Sequence, residues 1–172
     1  MMYKIFVLIT LFLAELLSSL PIFAEPSLVW TPLAQQTGTY FSSDRVTMGG
    51  AGVGIGAQLS WMQNVIAQTD ANILWGNGNA VSTRLALGYQ RTGRWQPAIL
   101  GTFNLLWGQR TEALSDSGKR PAAPIWVTGV RGTPLRFAGP RGYISALEFG
   151  YGIGPDAGYC LEFTLLTAGI RW

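Results

Sequence analysis

Residues able to do chemistry are few in this chain. It has no histidine, which removes Ser-His-Asp and Cys-His catalysis in their ordinary forms, together with histidine-based metal sites. Its single cysteine, Cys160, can form neither an internal disulfide nor a paired thiol ligand set, and reads as a small side chain in a strand. The run GAGVGIG at 50–56 lacks the G-x-G-x-x-G spacing of a dinucleotide loop and adjoins no strand-to-helix junction. One cation and two carboxylates remain: Arg84, Glu148 and Glu162. Two carboxylates are the material of general acid–base catalysis, and a guanidinium beside a carboxylate is the material of an ion pair. All three occupy even-numbered positions in segments whose odd positions are large and apolar, so they share one face. We expect Arg84 to pair with one of the two glutamates, the other being protonated, and we expect neither enzymatic activity nor a cofactor or metal.

The elements that must position these residues are strands. In GAGVGIGAQLSW (50–61) glycine occupies every second position, and Ala51, Val53, Ile55, Ala57, Leu59 and Trp61 fill the gaps. A period of two places alternate side chains on opposite faces of a strand and walks round a helix. The pattern recurs with Val81, Leu85, Leu87 and Tyr89 against Ser82, Arg84, Gly88 and Gln90. It recurs again with Trp95, Ile99, Phe103, Leu105 and Trp107 against Gln96, Thr102 and Asn104. In YISALEFGYGI, Tyr143, Leu147, Phe149, Tyr151 and Ile153 oppose Ala146, Glu148, Gly150 and Gly152. Strands are predicted near 47–61, 71–76, 81–91, 95–107, 125–132, 143–154 and 159–172, with a further candidate at 27–41. The stretch WMQNVIAQTDANILW suits strand and turn or a short helix. Thr92, Gly93 and Arg94 form a three-residue hairpin loop that pairs Arg91 with Trp95 and Tyr89 with Pro97, while GNGN (76–79) and PDAG (155–158) are further turn signals.

Seven to eight such strands imply a closed antiparallel barrel, and the open question is which face meets what. A soluble ligand-binding barrel of the lipocalin kind would turn the large apolar residues inward. Its wet surface would then carry Leu100, Leu106, Trp126, Val130 and Ile144. A transmembrane barrel exchanges the faces, with apolar residues toward lipid and small or polar ones inside. Charged residues make up 12% of the chain, against about 25% in soluble domains, which favours the membrane. Trp95 and Trp107 are separated by about 30 Å of vertical rise on a strand tilted by about 40°, enough to mark both borders of the apolar band. Trp61, Tyr89, Trp95, Trp107, Tyr143, Tyr159 and Trp172 are thus expected in the two aromatic girdles. Leu100, Leu106 and Trp126, on the even face, would fill the lumen. The net charge of +3 comes from scattered basic residues, which excludes the basic groove of a nucleic-acid binder.

The first 24 residues have the form of an export signal: Lys4, the apolar run 5–14, and PIFA ahead of Glu25. An uncleaved anchor is the competing reading, although the apolar run is shorter than the roughly 20 residues a spanning helix needs. Residues 25–172 then form one domain. At the other end Leu166, Ala168, Ile170 and Trp172 alternate and finish on an aromatic. Together with the strand pattern, this segment resembles the small outer-membrane β-barrels typified by the eight-stranded membrane domain of outer membrane protein A. In Tyr159, Leu161, Phe163 and Leu165 the apolar positions are odd, so a bulge between the two halves of the last strand would reconcile them, and without one, half of that strand is misassigned. The resemblance implies periplasmic termini, a C-terminal signal for the barrel-assembly machinery, and a surround of outer-membrane lipid and lipopolysaccharide. It makes 108–124 an outward loop, with Arg110, Glu112, Asp116, Lys119 and Arg120 accessible for recognition of an extracellular partner. The missing histidine counts against the lipid A deacylase and palmitoyl-transferase barrels of similar size. The reading is a structural or surface-interacting outer-membrane barrel, with a narrow pore for small solutes and a soluble periplasmic binder of an apolar ligand as alternatives.

Overall fold

The computed structural model describes residues 28–43, 46–61, 64–76, 78–108, 111–112 and 124–170. The export signal at 1–24 therefore lies outside the described residues, as do Trp172, Arg110, Asp116, Lys119 and Arg120. Ten strands follow one another: β1 (Leu28–Ser42), β2 (Val46–Trp61), β3 (Val65–Gly76), β4 (Gly78–Gln90), β5 (Ala98–Gly108), β6 (Thr111–Glu112), β7 (Ile125–Thr133), β8 (Leu135–Gly139), β9 (Gly142–Ile153) and β10 (Tyr159–Ile170). They form a single antiparallel sheet that closes on itself where β1 pairs with both β10 and β2. β7 and β8 are one stave interrupted at Pro134, since both pair with β9 in a continuing register, Gly132 with Phe149 and Leu135 with Ala146. With β6 a two-residue extension at the rim, the result is a closed eight-stranded barrel.

Alternation decides the faces. Along β4, Ser82, Arg84 and Ala86 are buried, whereas Leu85 and Leu87 are 61% and 64% exposed. The even positions of β2 to β5 face inward, and so do the odd positions of β1 and β7. The soluble alternative needed Val53, Ile55, Leu85, Leu87 and Phe103 inside, and all five are exposed on the outer wall. The glycine ladder of β2 has a packing reason. Gly54 stands opposite Asn72 and Gly56 opposite Asp70, and a Cβ at Gly54 would collide with Asn72 Oδ1. The bare inner face of β2 is the space those polar side chains occupy.

Several expectations are corrected. The ambiguous stretch is a turn at Asn64 and then strand through Val65–Gly76, so the short-helix option falls. Tyr89 pairs with Ile99, not Pro97, and Arg91 N–H donates to the Pro97 carbonyl at 2.9 Å. The loop takes this longer form because its residues bond to β8 instead: Gln96 N–H donates to Arg136 O (2.8 Å), and Ala138 N–H to Arg94 O (2.7 Å). Trp126, expected in the lumen, is 48% exposed outside, and Val130 is exposed beside it, because β7 turns its odd positions, Ile125, Val127 and Arg131, inward. Ile144 is also exposed, because the start of β9 turns Tyr143 and Ser145 inward.

Three neighbouring staves reverse their alternation at one level. Pro134 and Leu135 are both exposed before Arg136 turns in, Leu147 has φ 53° between buried Ser145 and Glu148, and Leu165 and Leu166 are both exposed between buried Thr164 and Thr167. On β10 this is a bulge, the register against β1 shifting between Gln36 and Thr37. Pro134 has no N–H for the ladder, and a left-handed Leu147 rotates its side chain out of the pleat. Below this level Tyr143 is buried inside, at 4% exposure, and not in a girdle.

Candidate functional site: a charged lumen

The lumen is filled in layers. At mid-height Arg84 reaches from β4 to three other strands. Its Nη2 lies 2.6 Å and its Nε 3.0 Å from Asp70 Oδ2 on β3, and its Nη1 lies 2.9 Å from Glu162 Oε2 on β10. Nη2 also donates to Gln35 Oε1 on β1 at 3.4 Å. Neighbouring amides complete the carboxylates: Asn72 Nδ2 donates to Asp70 Oδ1 at 2.7 Å, and Asn104 Nδ2 donates to Glu162 Oε1. Gln35 Nε2 donates in turn to Asn72 Oδ1 at 2.7 Å. All three charged side chains are at most 3% exposed. Two anions held apart by one guanidinium are stable away from water only when their remaining lone pairs are bonded, and the amides meet that need.

Glu148 belongs to a second centre. Arg131 Nη2 donates to Glu148 Oε2 and, at 2.7 Å, to Thr164 Oγ1. Thr164 Oγ1 donates to Thr37 Oγ1 at 3.2 Å. Nearer the start of β1 and the end of β10, Arg136 Nη2 and Tyr143 OH both donate to Gln58 Oε1, at 2.8 and 3.2 Å, and the guanidinium lies 3.7 Å from the centroid of the Tyr143 ring. Toward the opposite end the layer turns apolar: Phe41, Met48, Leu74, Leu106, Val127 and Cys160 pack together, and Cys160 is buried there as a small core side chain.

Of the three lumen residues read from sequence, the structure joins Arg84 to Glu162 and gives Glu148 its own arginine. Asp70, Arg131 and Arg136 were not anticipated. Asp70 was readable once 65–76 became a strand, since Gln68, Asp70 and Asn72 share its even face. Arg131 sits on a segment whose inner face is odd, and Arg136 lies past the reversal at Pro134.

Aromatic side chains stand at both ends of the outer wall. Trp61, Tyr89 and Trp95 lie at the end where β1 begins and β10 ends, and Trp107 and Tyr159 at the other, joined by Tyr40, Trp75 and Trp126. Trp95 is in a loop and not on β5; its indole N–H donates to Pro134 O at 2.8 Å, and Arg91 lies 5.5 Å from its ring centroid. At the end where β1 finishes and β10 begins the connections at 43–45, 77 and 154–158 are short, whereas 109–124 is long. This long connection begins by crossing the rim: Glu112 pairs with Val46 and Thr111 with Thr47 on β2, although β3 and β4 lie between β5 and β2.

An apolar outer wall around a hydrogen-bonded polar lumen, closed by eight antiparallel staves, defines the fold of the small outer-membrane β-barrels. No family model and no curated protein sequence matches the chain. Its fold is similar to that of neisserial surface protein A (TM-score 0.54, 8% identity, covering 87% of this chain and 100% of that one). It is also similar to that of Ail, the attachment invasion locus protein of Yersinia pestis (TM-score 0.51, 11% identity, 84% and 98% coverage).

Proposed function

We propose that this chain is an integral outer-membrane protein that works at the cell surface, with a filled lumen that neither conducts solutes nor catalyses a reaction. The observation that carries this reading is the lumen itself. Arg84 joins β4 to β1, β3 and β10 at mid-height, and an apolar layer covers that level toward the long connection. A water-filled pore needs an uninterrupted polar passage, and side chains fill this one in successive layers. With periplasmic termini, the 109–124 connection is the extracellular loop with length enough to contact a partner. Outer-membrane lipid, lipopolysaccharide and the barrel-assembly machinery are the surroundings this reading supplies. The names of the two structural neighbours, a surface protein and an attachment invasion protein, agree with a role at the surface.

Two measurements test it. The outer-membrane fraction, run unboiled beside boiled on a detergent gel, should show a folded form that shifts on heating. The purified barrel should leave a planar lipid bilayer without stepwise conductance. Steady single-channel steps would replace this reading with that of a narrow pore, and recovery in the soluble periplasmic fraction would overturn it altogether.

A further inference from the structure

Between the aromatic belts the outer wall is made of aliphatic, aromatic, glycine and alanine side chains, with three threonines, Thr69, Thr83 and Thr128, and one carboxamide. That carboxamide is Gln36 on β1. Among the described residues it is the one amide or charged side chain on this part of the wall. It is exposed, and it lies four residues below Tyr40, about 10 Å along the barrel axis and so inside the apolar band. A threonine hydroxyl can turn back to a nearby backbone carbonyl. Among the described residues Gln36 has no side-chain hydrogen-bond partner, and an unsatisfied amide in hydrocarbon is costly.

The wall around Gln36 is shaped on both sides. Toward β10 the bulge turns Leu165 and Leu166 outward together, at 53% and 45% exposure, as a ridge. Over Gln36 itself, between Leu166 on β10 and Ile55, Ala71 and Ile73 on β2 and β3, lies a hollow of about 570 Å³. Two barrels inserted the same way can be related by a two-fold axis along the membrane normal, which brings equivalent residues together at equal depth. With that axis beside Gln36, the β10 side of each copy faces the β2 side of the other, so the Leu165–Leu166 ridge of each lies against the β2–β3 wall of the other's hollow. A carboxamide carries both donor and acceptor, so the two Gln36 amides bond reciprocally.

We propose that the β10–β1–β2 wall is a self-association surface, on which a second copy of this chain docks through paired Gln36 carboxamides. The proposal rests on the outer wall being lipid-facing. It is tested with Gln36→Cys in a Cys160→Ser background, oxidised in native membranes, beside Leu87→Cys on the wall formed by β3, β4 and β5. The expected result is a covalent dimer for Gln36→Cys and little for Leu87→Cys, both barrels keeping their heat-shifted folded form. In lipid vesicles, energy transfer between labelled Gln36→Leu barrels should report association about tenfold weaker than for the native chain. Equal cross-linking at both positions, or unchanged association of Gln36→Leu, overturns the proposal and leaves the membrane reading intact. A protein with no folded form in the membrane fraction overturns both.

Discussion

Arg84 and Arg131 are both buried cations in the same lumen, yet they are held differently. Arg84 commits its Nε and both Nη atoms, faces two carboxylates and joins four strands. Arg131 commits Nη2 to one carboxylate and one hydroxyl, and among the described residues its Nη1 has no hydrogen-bond partner. Arg84 lies within regular ladders, where the glycines of β2 leave room for Asp70 and Asn72. Arg131 and its partners Glu148 and Thr164 lie just above the level where three staves reverse their alternation. Regular register permits complete coordination of a buried charge, and a dislocated register limits it to what the displaced strands happen to offer. The first centre is therefore the main tie across the lumen, and the second supports the irregular side.

The largest expected effect comes from breaking the first centre. Arg84→Met strands two buried carboxylates and should cost about 5 kcal/mol in urea unfolding from lipid vesicles. In an Asp70→Asn, Glu162→Gln background the same substitution should cost less than half as much, since no uncompensated charge is left. Arg131→Met strands one carboxylate where Arg84→Met strands two, and about 3 kcal/mol is expected in the same assay. A cost equal to or above that of Arg84→Met would break the comparison. On the opposite face of β4, Leu85→Arg places a cation in lipid near mid-strand and should cost about 2 kcal/mol. Smallest is Trp95→Phe, which removes the indole bond to Pro134 O beside the dislocation and should cost about 1 kcal/mol, read as a lower midpoint in the same titration.

The same contrast explains what could be read from the sequence. β2, β4 and β5 alternate without interruption, so their faces, the closed barrel and the inward placement of Arg84 followed from a period of two. The apolar parity of the last strand offered a bulge or a misassigned half, and the bulge is present at Leu165–Leu166. Tyr143 and Arg136 were beyond that reasoning. Their inward direction depends on Pro134 and on the left-handed Leu147, and a proline near a strand end does not say whether the strand stops or continues with its faces exchanged. Trp126 failed for a related reason: parity was carried over from β5 to β7 across a connection whose length places no constraint on it. Gln36 was visible as a polar residue in the first strand, and its place on the lipid side emerged only from the pairing with Val53 and Leu166.

The central claim is that the apolar positions face lipid and the charged ones face the lumen. Nitroxide labels at Ile55, Leu87, Phe149 and Leu161, each placed singly in a Cys160→Ser background and reconstituted in vesicles, test it most directly through collision with oxygen and with a water-soluble nickel chelate. The account predicts high oxygen and low nickel accessibility at all four. High nickel accessibility at these positions would contradict it, for the wall would then face water.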